Sequence, residues 1–169
     1  MTDKNSNHYL LDKMIKELQF LLNGINTIEM YYKEYLQYIE TCTPEELYNK
    51  HGEELILYGY VVSSYGACLT QVTRQSDEMI NVINNSHFKE VVGSYTLNII
   101  ELKNRYTAYN ISSDELKIYI DKHQKEDCIY CVLENLYEKI LVLEKRINVF
   151  LRNSEDFLKS IQGIQNETM

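Results

Sequence analysis

The residue types in this sequence that could do chemistry are concentrated around Cys128 and Cys131. These two cysteines form a Cys-x-x-Cys motif, and His123, Asp127 and Cys131 are spaced by four residues, which places them on one face of a helix. Thiolate, imidazole and carboxylate groups are all ligands for transition metals. A structural zinc site usually needs a second pair of ligands at similar spacing, and the sequence contains no other Cys-x-x-Cys. We therefore expect no bound metal and no cofactor, and interpret the two cysteines as ordinary helix residues.

Sequence signatures of catalysis are missing from the rest of the chain. No Gly-x-Ser-x-Gly motif occurs, and no glycine-rich loop precedes a Lys-Ser or Lys-Thr pair that could hold phosphate. None of the four histidines follows a glutamate by three residues, the spacing that di-iron bundles use. We therefore predict no catalytic residues and no enzyme activity. An active site assembled from several helices would leave no motif, so an enzyme stays the third and weakest hypothesis.

The charge of the chain limits the partners that it can bind. Its 169 residues carry a formal net charge of −8 at pH 7, and the 17 lysines and arginines are scattered among acidic residues. Such a surface repels phosphate, so we expect no direct binding of nucleic acid through a basic face. The first residues carry no export signal, which leads us to expect a cytoplasmic protein whose four cysteines stay reduced.

The spacing of apolar residues predicts the helices that must position these groups. With one proline and six glycines, the chain has few residues that interrupt a helix. Apolar residues recur at steps of four and three in four segments, namely Leu11–Ile39, Tyr58–Ile83, Phe88–Tyr109 and Ile129–Ile164. A repeat sustained over this length favours coiled-coil-like packing. We therefore predict an all-α fold, a single bundle of four to five long antiparallel helices.

Two capping boxes indicate where helices begin. The segment TPEE at 43–46 places Thr at the cap position and Pro at the first helical position. The segment SSDE at 112–115 has the same pattern with Ser in place of Thr, and Ser112 is the expected cap. Both segments separate stripes of apolar residues, so both predict the start of a helix.

The domain boundaries follow from where the apolar stripes begin and end. We assign residues 8–161 to one helical-bundle domain, 1–7 to a disordered N-terminus and 162–169 to a frayed C-terminal tail. Within the domain, Gly24 is the expected site of a kink and Gly52 the expected site of a helix break.

The longest uncharged segment, Leu55–Thr73, has the length of a membrane-spanning helix. Three tyrosines and five serine, threonine and glutamine residues make it less hydrophobic than such helices, and its apolar stripe continues into the charged residues that follow. We therefore predict no membrane span and place the segment at the centre of the bundle. Its small residues predict a helix-packing groove, where another backbone can approach closely; they are Gly59, Ser63, Gly66 and Ala67.

Tyrosine is the most unusual feature of the composition, with 15 in the chain. Tyr31, Tyr35 and Tyr38 of the first helix are candidates for a surface that binds a partner protein, because tyrosine buries a large ring while its hydroxyl keeps a polar partner. Two other interpretations stay open. The tyrosines could lie at half-buried helix edges in the product of an AT-rich gene, or could line a ligand pocket between helices.

Together these patterns favour a non-enzymatic intracellular protein that binds other proteins, as an adaptor, an assembly subunit or an inhibitor. Wide apolar helix faces often complete their burial in an oligomer, so we expect a homodimer. Small helical proteins of this AT-rich composition are common in phage and mobile elements, and many of them inhibit host enzymes. The second hypothesis is a ligand- or metal-responsive regulatory bundle in which Cys128, Cys131, His123 and Asp127 would hold the metal.

Overall fold

Five helices make up the part of the chain that the structure describes. In this computed structural model the described residues are 2–83, 89–108, 111–122 and 128–167. The helices are α1 (Thr2–Thr41), α2 (Pro44–Ile83), α3 (Lys89–Ala108), α4 (Asp114–Lys122) and α5 (Cys128–Glu167), and these ranges contain no strand. The predicted all-α bundle is confirmed.

Local sequence and one distant carboxylate determine where α2 and α4 begin. At the start of α2, Thr43 Oγ1 accepts a hydrogen bond from the Glu46 backbone N–H at 3.2 Å, as predicted for the cap. At α4 the Ser112 hydroxyl accepts a hydrogen bond from the Asp114 backbone N–H at 3.2 Å, as expected of the predicted cap, while the first helical backbone bond, from Lys117, is accepted one residue later by the Ser113 carbonyl at 3.0 Å. The distant carboxylate is that of Glu144 in α5, which accepts hydrogen bonds from both the backbone N–H and the hydroxyl of Ser113.

Two buried tyrosines join α1 and α2 as antiparallel neighbours. The Tyr58 hydroxyl donates to the Ile28 carbonyl at 2.6 Å. The Tyr65 hydroxyl donates to the Leu21 carbonyl at 2.7 Å. Tyr65 lies seven residues after Tyr58 in α2, and Leu21 lies seven residues before Ile28 in α1. Because the step is one heptad on both helices, the two tyrosines lie in one seam.

α3 and α4 follow each other along one column that runs parallel to α1. Arg105 of α3 donates from Nη1 to the Leu22 carbonyl at 2.6 Å. Further along α1, the Tyr32 hydroxyl donates to the Ser112 carbonyl, just before α4. The two contacts occur in the same order along α1 and along the column of α3 and α4, so α1 and the column are parallel.

α5 closes the bundle between α2 and the column of α3 and α4. It runs antiparallel to α3, since Tyr95 packs edge-to-face on Phe157 and Tyr106 on Phe150, with ring centroids 5.7 and 5.4 Å apart. The predicted antiparallel arrangement therefore holds for α5 with α3 and for α1 with α2.

α2 and α5 are parallel rather than antiparallel. Gly59 lies against Lys139, and Gly66, seven residues later, lies against Arg146, seven residues later in α5. This direction follows from the chain order, because the column of α3 and α4 runs back along the bundle between the two helices. The parallel pair makes the most extensive helix contact among the described residues.

The buried side chains of the three long helices follow the predicted spacing, with steps of three and four, one step of seven in α2 and two steps of seven in α5. The main seams are Met14, Leu18, Leu21, Ile25, Ile28, Tyr32, Tyr35 and Ile39 in α1; Leu55, Tyr58, Val62, Tyr65, Leu69, Val72 and Met79 in α2; and Ile129, Leu133, Leu136, Ile140, Leu143, Phe150, Phe157 and Ile161 in α5. The seams form the core between the helices, and coiled-coil-like packing remains a prediction. The gap in the α5 stripe is filled by Ser154, which is buried and donates to the Leu151 carbonyl at 2.9 Å.

Neither of the two glycines interrupts its helix. α1 continues through Gly24, where the missing side chain admits the ring of Tyr65; a Cβ added there would lie 3.0 Å from Tyr65 Cε2. α2 continues through Gly52, so the predicted break is wrong. The preceding residue, His51, stacks its ring on that of Tyr38 at 4.2 Å, and this packing supports the helix there.

The ends of α1 and α5 extend into the two terminal ranges, 1–7 and 162–169, that were predicted to be disordered or frayed. The described buried side chains nevertheless begin at Met14 and end at Ile161. Hydrogen-bonded backbone continues both helices past the core. The single domain over 8–161 remains a prediction.

One stretch of α2, Pro44–Met79, is long and apolar enough to cross a membrane by length and composition alone. Its most apolar window has a mean hydropathy of 1.2, and 44 % of that window is buried inside the bundle. The central helix of a helical bundle has the same composition, because neighbouring helices cover it. The absence of a membrane span therefore remains a prediction.

Candidate functional site

A largely apolar groove opens on the described surface between α1 and α2. We call it the α1/α2 groove; it encloses about 500 Å³ and is lined by Phe20, Gly24 and Thr27 of α1 and by Tyr60, Val61 and Ser64 of α2. Uncharged segments meet there, because residues 18–28 of α1 and 55–73 of α2 contain no charged side chain. The groove therefore has no internal charge to keep it hydrated.

Large apolar side chains on both rims of the α1/α2 groove point into solvent. Phe20 is 57 % exposed, Leu57 63 %, Tyr60 61 % and Val61 54 %, and Tyr31 continues the α1 rim at 39 %. With 150–250 Å² for a fully exposed aromatic ring, these five side chains present roughly 500 Å². An apolar patch of this size lies at the upper end of what a typical monomer exposes.

The floor of the groove is held rigidly by hydrogen bonds. Tyr65 packs beneath Gly24 and within 6.5 Å of the Phe20 ring, and its hydroxyl bonds both the Leu21 carbonyl and, at 2.8 Å, the Tyr106 hydroxyl. Burial raises the pKa of Tyr65 well above its usual range, so the hydroxyl stays protonated and neutral. A fixed, neutral floor is suited to binding apolar side chains without rearrangement.

The three tyrosines predicted as a partner surface lie next to the groove but are not equally accessible. Tyr31 is exposed and stacks on Tyr35 with ring centroids 6.0 Å apart. Tyr35 is buried against Tyr58, with their ring centroids 5.1 Å apart, and belongs to the core. Tyr38 is half-buried and donates to Glu34 at 2.7 Å. Only Tyr31 of the three therefore offers most of its outer face to a partner.

The main residues that sequence reasoning missed are Phe20, Leu57 and Val61. Their signal was present in the uncharged segments of α1 and α2, where apolar residues occupy more than one side of the helix. The spacing alone did not reveal them, since it does not tell which side of a wide apolar face is covered by another helix.

Charged residues flank the two ends of the α1/α2 groove with opposite sign. Lys13 and Lys16 are exposed one to two turns before Phe20, on the same face of α1. At the other end, Glu53 and Glu54 are exposed one turn before Leu57 in α2, and half-buried Glu34 follows Tyr31 by one turn. Three charged residues of opposite sign also lie near the ends: the Glu17 carboxylate is half-buried and faces Cys68 and Tyr95 inside the bundle, Asp12 is exposed beside Lys13, and Lys50 lies a turn beyond the glutamates. The groove is therefore basic at one end and acidic at the other.

The predicted helix-packing groove lies on the side of α2 that faces α5. A Cβ added to Gly59 would lie 3.2 Å from Lys139 Cδ, and one added to Gly66 would lie 2.8 Å from Arg146 Nη1. Lys139 also lies over the Tyr60 ring, with its Nζ 4.2 Å from the centroid. Small residues let the two basic side chains cross α2 closely.

The other two residues of the predicted stripe contribute less to the contact with α5. Ser63 is half-buried and Ala67 is exposed, in the cleft between α2 and α5 that Val142 and Arg146 also line. We therefore expect a larger side chain at Ala67 to be accommodated in solvent rather than to separate the helices.

The cysteine motif opens α5. Cys128 and Cys131 are exposed free thiols, whereas His123 and Asp127 lie outside the described residues. Within the described ranges, no three His, Cys, Asp or Glu side chains are grouped so that they could hold a metal ion. The other two cysteines are half-buried, and burial raises the pKa of the Cys68 thiol, with the nearby Glu17 carboxylate adding to the effect.

Comparison of the chain with protein-family models, curated proteins and solved structures finds no match. The function is therefore inferred from the surface of the chain itself.

Proposed function

We propose that this protein works without catalysis, by binding other protein chains through the α1/α2 groove. The observation that carries the proposal is the apolar groove, with Phe20, Tyr60 and Val61 exposed around a floor held by Tyr65, and with exposed Leu57 one turn before Val61. Exposing these side chains to water is unfavourable, so a surface of this kind is typical of a site that a partner covers.

The shape and chemistry of the groove favour a protein partner over a small molecule or nucleic acid. It is long, open and uncharged along its centre, whereas small-molecule sites enclose most of the ligand and place polar groups to orient it. The net charge of −8 opposes binding of phosphate backbones. The proposed role is that of an adaptor, assembly subunit or inhibitor in the cytoplasm.

A matched pair of leucine variants tests the groove as the binding surface. Leu57, one turn before Val61 on the rim of the groove, and Leu97 on α3 are 63 % and 68 % exposed, so L57E and L97E place the same charge at two sites of similar accessibility. Tagged wild-type protein and both variants are used to capture proteins from the cells that produce this chain. We expect L57E to lose the captured partner and L97E to retain it. Equal capture of the partner by all three proteins would refute the groove as the binding surface.

The metal-responsive alternative depends on the exposed thiols of Cys128 and Cys131. It is tested by elemental analysis of untagged protein purified without chelators. An occupied site would give close to one metal per chain, because structural metal sites bind tightly. Less than about a tenth of an equivalent of any transition metal would leave this alternative unsupported.

A further inference from the structure

The opposite charges at the ends of the α1/α2 groove indicate what covers it. We infer that the groove packs against the same groove of a second copy of this chain, in a two-fold symmetric homodimer with antiparallel α1 helices. The inference rests on the proposed function, since it requires the groove to be a protein-binding surface, and it names the partner.

The charge pattern is self-complementary in one orientation. A two-fold axis that lies in the interface and crosses the groove at a right angle turns the basic end of one copy onto the acidic end of the other. Because this axis places α1 on α1 and α2 on α2, Lys13 and Lys16 then face Glu34 of the second copy, with Glu53 and Glu54 beside them on the neighbouring α2, at both ends of the interface. An axis along the groove would instead place like charges together, which is unfavourable.

The register of the two helices places the axis at the centre of the apolar patch. Lys13 to Glu34 spans about 30 Å of α1 at 1.5 Å per residue, and its midpoint is at Gly24. Leu21 is bonded by Tyr65 and Ile28 by Tyr58. Val62 of α2 is therefore level with Gly24 of α1, and exposed Val61 precedes it. The same axis that pairs the charged ends therefore also pairs the apolar centres.

The exposed apolar side chains supply more than half of the area that a standard interface buries on each partner. The five apolar side chains contribute roughly 500 Å², and a standard interface buries about 800 Å² on each partner. The charged side chains at both ends supply much of the difference. A closed two-fold contact also covers the patch on both copies, so no apolar face is left to recruit a third chain.

The oligomeric state of the full-length chain tests the dimer. We expect sedimentation equilibrium to give a dimer for the wild type and for L97E, and a monomer with unchanged far-UV circular dichroism for L57E and V61E. A wild-type monomer at a concentration of about 1 mM, where even a weak interface would be occupied, would overturn the inference. A dimer that persists in both groove variants would place the contact elsewhere and would also overturn it.

Charge reversal tests the orientation. K13E/K16E makes both ends acidic and E34K/E53K/E54K makes both ends basic, so each variant alone should dissociate about tenfold more readily than the wild type at low salt. An equimolar mixture should form a heterodimer that is as stable as the wild-type dimer. Unchanged dissociation constants for both variants would refute the antiparallel arrangement.

The outcomes separate this inference from the proposed function. A monomeric wild type whose capture of another protein is lost in L57E refutes the homodimer and supports the groove as a binding surface for a different chain. A monomer whose capture is unaffected by L57E refutes both.

Discussion

Removal of the Tyr65 hydroxyl should lower the free energy of unfolding by an amount that follows from its hydrogen bonds. Tyr65 donates to the Leu21 carbonyl at 2.7 Å and lies 2.8 Å from the Tyr106 hydroxyl. Each hydroxyl has a single proton, and burial raises the pKa of both groups, so both stay protonated. Because the proton of Tyr65 points to Leu21, Tyr106 must donate the bond that the two hydroxyls share. Tyr106 therefore depends on Tyr65 for its only acceptor among the described hydrogen bonds.

The Y65F variant removes this acceptor and leaves the Tyr106 hydroxyl buried. A lost hydrogen bond costs about 1 kcal/mol, and an unpaired buried hydroxyl adds about 1–3 kcal/mol, so we expect the free energy of unfolding to fall by about 2–4 kcal/mol. The Leu21 carbonyl keeps its bond within α1 and adds little. Y106F should cost only about 1 kcal/mol, since Tyr65 still donates to Leu21.

The double variant decides whether this reasoning is correct. Y65F/Y106F contains no unpaired hydroxyl, so we expect it to be more stable than Y65F alone by about 1 kcal/mol or more. Urea denaturation followed by circular dichroism, at one protein concentration for all variants, measures the difference. A double variant that is less stable than Y65F would show that Tyr106 finds another partner and would refute the hydrogen-bond assignment.

Three further predictions concern packing, the start of α4 and pH. G24A should lower the free energy of unfolding by about 1–3 kcal/mol because its Cβ meets the fixed ring of Tyr65 at 3.0 Å. G93A, whose Cβ would meet nothing within 4 Å, should instead stabilise α3 by about 0.5–1 kcal/mol, and urea denaturation of both variants checks the contrast. E144A removes the acceptor of the Ser113 backbone N–H and hydroxyl just before α4 and should cost about 1–2 kcal/mol, seen as a lower melting temperature; an unchanged value would contradict this role of Glu144. Burial raises the pKa of Tyr95 to about 12, whereas an unfolded tyrosine titrates near about 10. The unfolded state therefore loses this proton first, so stability should fall between about pH 10 and pH 12, with unfolding and tyrosinate absorbance rising together. Full ionisation of all tyrosines near pH 10 in a folded chain would contradict this.

The helices were predictable because their seams repeat in the sequence. The steps of three and four from Met14 to Ile39 and from Ile129 to Ile161 need no knowledge of the neighbours. The start of α4 also depends on a contact that no local pattern contains, since Glu144 lies 31 positions beyond Ser113.

The candidate site was only partly predictable because exposure depends on which helices are adjacent. Tyr31 and Tyr35 are four residues apart on one helix, yet one is exposed and the other is covered by Tyr58 of α2. Likewise, the uncharged segment of α2 was predicted to lie at the centre of the bundle, whereas α5 covers one side of it and leaves Leu57 and Val61 exposed on another. Helix order in space, which local periodicity does not encode, makes the difference.

The parallel pairing of α2 with α5 has a consequence for how the chain folds during synthesis. Gly59 and Lys139 are 80 positions apart, so the largest helix contact cannot form until the last helix has left the ribosome. Until then, α2 can pair only with α1 and α3, and the side of its uncharged segment that α5 later covers stays open to water. Such late, non-local closure slows folding and leaves an intermediate prone to aggregation. A chain that stops before α5 should therefore be a substrate for chaperones rather than a smaller stable bundle.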